Sequence, residues 1–225
     1  LPYYSAIGVL QTHDLLKKIR PNYLYRDPYL DLEVTAVPLE CVRKHYLPEE
    51  RAQEIISRGG RDPLEELARD LMLRIVREAG VSSRDIGITG SILLGIHNPS
   101  ISDIDLIVYG REPSYRVRET LRSLLSSKGE FRRPEGDLLM RWARSLAKIH
   151  PISEEIAAKF YSEWWCRALF RGRQFSIHPV RTEHEVEEEY GEFKYKGEGI
   201  VTVECIVEDS SDSIFLPSKY VVRNV

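Results

Sequence analysis

Apolar residues fall at helical spacing through Leu64, Leu67, Ala68, Leu71, Met72, Ile75, Val76 and Ala79. Asp62 stands before them as an N-cap, Pro63 takes the first helical position, Glu65 follows three residues after the cap and Gly80 closes the run, so a helix is predicted there. The period then shortens to two. "IGIT" predicts a short strand ending at Gly90 and Ser91, and "ISDIDLIVY" a second strand with Ile104, Leu106 and Val108 turned to one face. "SYRVRETLRSLLSSKG" predicts a helix capped by Ser114 and stopped by Gly129; two further helical runs, Asp137 to Ile149 and Ser153 to Phe170, precede the strand "RQFSIHPV". The order of elements predicts an α/β (α+β) fold, a small mixed sheet with helices.

Both ends follow different patterns. Residues 1–60 mix Tyr, Pro and short apolar runs: a brief helix from Thr12 in "THDLLKKIRP", a strand in "DLEVTAV", then helical segments interrupted at Pro48. After Val180 comes an acidic run, "EHEVEEEYGE", expected as a solvated helix face or linker. It leads into alternating stretches, "GIVTVECIVEDS" and "SIFLPSKYVV", which predict a small C-terminal β segment. The expected organisation is an extension over 1–60, a core over 61–182 and the β segment over 183–225.

Composition narrows the function classes. With 42% hydrophobic and 30% charged residues the chain has the profile of a folded domain, and a formal net charge of -3 gives no nucleic-acid footprint. No window approaches about 18 consecutive apolar residues and no signal-like head is visible, so no membrane partner and a cytoplasmic location are expected. Cys41, Cys166 and Cys205 are odd in number and far apart, which fits reduced thiols and offers no zinc spacing.

The chemistry concentrates in "GITGSILLGIHNPSISDIDLIVYG". Asp103 and Asp105 share a strand face, and two carboxylates that close repel each other unless a cation or hydrogen-bond donors intervene. A hard divalent ion such as Mg²⁺ suits them, since it takes oxygen ligands and accepts one or two carboxylates beside a phosphate. Twelve residues before Asp103, the Gly90-Ser91 turn offers close backbone approach and a hydroxyl suited to phosphate oxygens.

This Gly-Ser pair followed by Ser-Asp-x-Asp in a strand resembles the signature of the DNA polymerase beta-type nucleotidyltransferase superfamily. More narrowly, "PNYLYRDPYLDLEVTAVPLE" through "SDIDLIVYG" to "SIFLPSKYVV" is similar to archaeal proteins predicted to be nucleotidyltransferases. The resemblance implies an NTP substrate and two Mg²⁺ ions. Asp103 and Asp105 are then catalytic metal ligands, and Gly90 and Ser91 bind the β and γ phosphates. Ser102 shapes the strand entry and is itself a nucleotide-binding candidate, and His97, in the intervening loop, is a further one. The acceptor would be an RNA or a protein hydroxyl.

Two departures from the family pattern stand out. No basic residue follows shortly after Gly90-Ser91, so the triphosphate charge must be met from elsewhere; Arg111, Arg171 and Arg173 are candidates, with a solvated surface arginine as the alternative for each. The strand expected to hold a third carboxylate offers Gln174, Ser176 and His178 instead; His178 is a further metal-ligand candidate there, and Glu183 and Glu185 are the nearest acids. "KFYSEWWCRALFRGR" sets Phe160, Trp164 and Ala168 on one helix face near Arg167, Arg171 and Arg173, an arrangement able to stack on bases. The alternative to an active transferase is a catalytically degenerate module of the same fold that binds a nucleotide or RNA.

Overall fold

The structure, a computed structural model, describes residues 6–127 and 129–225. The chain divides into two compact units. One comprises the described residues up to His45 with Val186–Cys205 and Asn224–Val225. It contains α1 (Ala6–Ile19), which starts before the expected Thr12, and the antiparallel hairpin of β1 (Leu24–Asp27) and β2 (Leu32–Thr35). Asp27 is buried at the hairpin end, where its carboxylate accepts from the amides of Tyr29 and Leu30 and from the Tyr190 hydroxyl. The acidic run starts with a single 3-10 turn, Glu183–Glu185, at the end of the second unit, and continues in the first without helix or strand.

The other unit, Tyr46–Glu185 with Ile206–Arg223, carries the predicted core. Its elements begin with α2 (Pro48–Arg58), α3 (Pro63–Ala79), β3 (Ile86–Ile88) and α4 (Gly90–Leu94). Next come β4 (Ile104–Tyr109), α5 (Arg111–Ser126), β5 (Phe131–Arg132), α6 (Gly136–Ala147) and α7 (Glu154–Glu163). The last are β6 (Arg167–Phe170), β7 (Arg173–Val180), β8 (Ile206–Asp209) and β9 (Val221–Arg223). Helix α3 begins as expected: Asp62 accepts from the amides of Leu64 and Glu65, and Gly80 ends the helix in the left-handed region.

Five strands form a mixed sheet in the order β3-β4-β7-β6-β5, with β4 and β7 parallel and the other pairs antiparallel. Alternation along the strands separates its faces. Ile104, Leu106, Val108, Ala168, Phe170, Phe175 and Ile177 join one buried cluster with Ala68, Leu71, Met72 and Ile75 of α3 and Val117 and Leu121 of α5. Burying the larger of these side chains stabilises by roughly 1.5–3 kcal/mol each, which fixes the strand register. The opposite face then receives Asp105, Ser176 and Arg167, aligned in one row because Ser176 pairs with Asp105 on one side and with Arg167 on the other.

Three local expectations are corrected. The run from Ser153 to Phe170 is not one helix: Ser153 caps α7, which ends at Glu163, and Trp164 is extended so that residues 167–170 pair with β7. Phe160 and Trp164 still touch, at 4.1 Å between ring centroids, but Ala168 belongs to the sheet. Ser114 does not cap α5, which starts at Arg111; its hydroxyl donates to the Val108 carbonyl, and Glu185 accepts from the Arg111 amide instead. The C-terminal prediction holds as the β8-β9 hairpin.

Candidate functional site

Pairing of β3 with β4 brings Gly90 against Asp105. The Thr89 amide donates to the Asp105 carbonyl at 2.8 Å, and Gly90 turns at φ 64°. A Cβ at Gly90 would lie 2.5 Å from Asp105 Oδ2, so only glycine fits between the strand and the first turn of α4. Gly90 therefore meets the second aspartate. The loop before Asp103 is closed by Ser102, whose hydroxyl accepts from the Asn98 amide and whose own amide donates to the Asn98 carbonyl. The Arg173 guanidinium donates to the carbonyls of Pro99, Ser100 and Ser102 at 2.9, 3.0 and 3.1 Å. Arg173 thus holds the chain that delivers Asp103, which itself makes no hydrogen bond or ion pair with any described residue.

Asp105 is oriented from the neighbouring strand. Ser176 Oγ donates to Asp105 Oδ1 at 2.5 Å and lies 2.8 Å from His178 Nε2. A serine has a single hydroxyl proton; because the carboxylate takes it, His178 Nε2 is the donor to Ser176. With Oδ1 engaged, Oδ2 is the oxygen that faces Gly90.

The two aspartates border a cleft of about 570 Å³ together with Ser176, His178, Arg167, Trp164 and Trp165. Its far wall is the segment Ser213–Leu216 with Ser218. That wall is anchored to the sheet unit: Asp212 pairs with Arg111 at 3.2 Å and Arg181 at 3.0 Å, and the Tyr115 hydroxyl donates to the Ser211 carbonyl at 2.7 Å. Phe215 is buried there beneath the Arg181 guanidinium, 4.9 Å from its ring centroid. Cys166 also lines the cleft, but burial pushes its thiol up to about 12, which leaves it a poor nucleophile.

Other sequence candidates are engaged elsewhere. His97 Nε2 lies 2.7 Å from Asp62 Oδ2, with its side chain only 7% exposed, and it does not line the cleft. Arg171 pairs with Glu130 and Asp70, and Arg111 with Asp212. Glu185 is occupied by the amides of Arg111 and Thr182, so it caps a helix rather than joining the aspartates. Arg167, by contrast, lines the cleft and pairs with no acid among the described residues; its guanidinium stands 4.9 Å from the Trp142 ring centroid. The missed signal was the Arg171-Gly172 turn, both residues at positive φ (46° and 84°), which folds β6 onto β7 and sets Arg167 opposite Ser176.

Among the described residues, two groups of side chains offer themselves for a metal ion. Asp62, Glu65 and His97 present ligand atoms within 4.8 Å of one another, but Arg51 already pairs with the buried Glu65, and Asp62 is spent on helix amides and His97. Asp103 and Asp105 fit a hard cation better: carboxylate oxygens beside a serine hydroxyl, Asp103 without a partner among the described residues, and close backbone approach at Gly90.

The family model for the nucleotidyltransferase domain matches residues 70–207, more than half of the chain. An uncharacterized protein of Methanocaldococcus jannaschii is 28% identical over 204 residues, covering 90% of this chain and 59% of that protein. This chain therefore spans about three-fifths of the length of the curated relative it matches. No solved structure matches.

Proposed function

The chain belongs to the nucleotidyltransferase domain family, and from that premise we propose that it moves a nucleoside monophosphate from a Mg²⁺-bound NTP to an acceptor hydroxyl, releasing pyrophosphate. The observation that carries this reading is the contact of Asp105 with the Gly90 turn, which leaves no room for a side chain between the carboxylate and the phosphate-binding turn. Asp103 and Asp105 would hold the metal; when bound, Mg²⁺ neutralises phosphate charge and acidifies the acceptor hydroxyl.

The chain's own residues orient the partners. Ser176 fixes one oxygen of Asp105, His178 fixes Ser176, and Arg173 fixes the loop leading to Asp103. Gly90 and Ser91 receive the triphosphate, as the family resemblance implies. In the transfer the acceptor oxygen bonds to the α-phosphorus, the bond from that phosphorus to the pyrophosphate oxygen breaks, and the hydroxyl proton passes to water.

One observation favours a second reading, a nucleotide-binding module without turnover: Ser176 stands opposite Asp105 on the strand where the family resemblance expects a third carboxylate. Incubation with α-labelled NTPs and Mg²⁺ separates the two. Label transfer or pyrophosphate release that Asp103→Ala abolishes supports the transferase. Nucleotide binding by calorimetry with no transfer from any NTP leaves the binding module.

A further inference from the structure

The cleft lies on one side of Asp105 and the phosphate-binding turn on the other. In the sheet order, β3 with its Gly90 turn flanks β4 on one edge, while β7 and β6 extend from the opposite edge. Gly90 and Ser91 do not line the cleft, whereas Ser176 and Arg167 do. In-line transfer puts the attacking and leaving oxygens on opposite sides of the phosphorus. With pyrophosphate leaving on the Gly90 side, the attacking hydroxyl comes from the β7-β6 side.

Resting on the transferase reading above, we propose that this cleft is the acceptor site, and that the acceptor is a small hydroxyl compound bearing one anionic group bound by Arg167 and a flat or apolar body set against Trp164, Trp165 and Leu216. The volume, about 570 Å³, falls in the range of small-molecule sites. Arg167 is a half-buried cation with no acidic partner among the described residues, flanked by the Trp142 ring, which leaves its guanidinium fork available to a phosphate or carboxylate. A polyanion such as RNA fits less well: one unpaired arginine in the cleft and a net charge of -3 supply little of the positive field that phosphate tracking needs. The wall from Ser213 to Ser218 lies beyond residues 70–207, so this part of the site is not within the matched family domain.

Phenyl phosphate, benzoate and the neutral benzyl alcohol test the assignment on the full chain without nucleotide, followed by tryptophan fluorescence and ligand-observed NMR. Both anions are expected to bind, Arg167→Met to weaken them at least tenfold, Arg167→Lys to retain most of the affinity, and benzyl alcohol to respond equally in every variant. The tighter of the two anions identifies the group that Arg167 reads. Circular dichroism and thermal melting of Arg167→Met verify that its fold is retained. If neither anion binds the wild-type chain at millimolar concentration, or Arg167→Met binds them undiminished, the acceptor assignment is overturned. Loss of Mg²⁺·ATP binding in Arg167→Met with the anions unaffected also overturns it and assigns the arginine to the triphosphate. The transferase reading fails separately, on absent Mg²⁺·ATP binding and absent label transfer, while the anion titrations still report on the cleft.

Discussion

Two clusters of acidic side chains lie in the same unit and solve opposite problems. At Asp62, Glu65 and His97 both carboxylates are answered from within: Arg51 pairs with Glu65, helix amides and His97 satisfy Asp62, and the Glu65 side chain is only 2% exposed. At Asp103 and Asp105 the protein answers only part: Ser176 serves one oxygen of Asp105, and Asp103 is left to the cleft. Burial of a charge is tolerated where partners repay the lost hydration. A carboxylate pair left open beside a cleft is what the proposed metal and nucleotide would need.

That contrast can be broken from either side. The largest effect is expected at the open pair: Asp103→Ala should lower nucleotidyl transfer by ~10³-fold or more, about 4 kcal/mol of transition-state stabilisation, while stability stays within about 0.5 kcal/mol. Rates with labelled NTP alongside urea unfolding read both quantities. The closed cluster should behave in reverse. Glu65→Ala leaves the Arg51 guanidinium without its most buried partner and is expected to cost about 3 kcal/mol, measured as a lower urea midpoint at unchanged slope.

Smaller changes sharpen the comparison. Ser176→Ala frees Asp105 Oδ1 and breaks its link to His178, so transfer is expected to fall by roughly 10- to 100-fold, about 1–3 kcal/mol, with the melting temperature little altered. An equal loss of stability would make Ser176 a packing residue instead. The smallest effect is at Asp62. Although burial works against the charge, the His97 imidazole and the amides of Glu65 and Leu64 hold its carboxyl below the usual range. A carboxyl depressed in the folded state contributes stability above its unfolded value, near 3.9, and loses it as pH falls through the folded value. Asp62→Ala should therefore cost about 1 kcal/mol above about pH 5, and the difference from wild type should shrink in unfolding curves taken at progressively lower pH.

Some of this architecture is written locally. The cap at Asp62, the stop at Gly80 and the apolar period of α3 are contained in a short stretch of chain, because capping and amphipathicity act over one or two turns. Strand alternation likewise sets Asp105 opposite the buried Ile104, Leu106 and Val108, and Asp103, one residue before β4, borders the same cleft. The helix expected from Ser153 to Phe170 stops short because its second half, though helical in spacing, folds back on β7 through the two-residue Arg171-Gly172 turn, so a hairpin signal competes with the helical one there.

The sequence by itself determined the acidic pair, the glycine turn beside it and the family to which they belong, since each depends on residues close together in the chain. Tertiary structure alone decided what faces them. Arg173 reaches back to the loop before Asp103, Ser176 takes one oxygen of Asp105, Arg167 enters the cleft two strands away, and the segment from Ser213 to Ser218 closes its far side. Such contacts join positions tens to more than a hundred residues apart, and only sheet order and register bring them together.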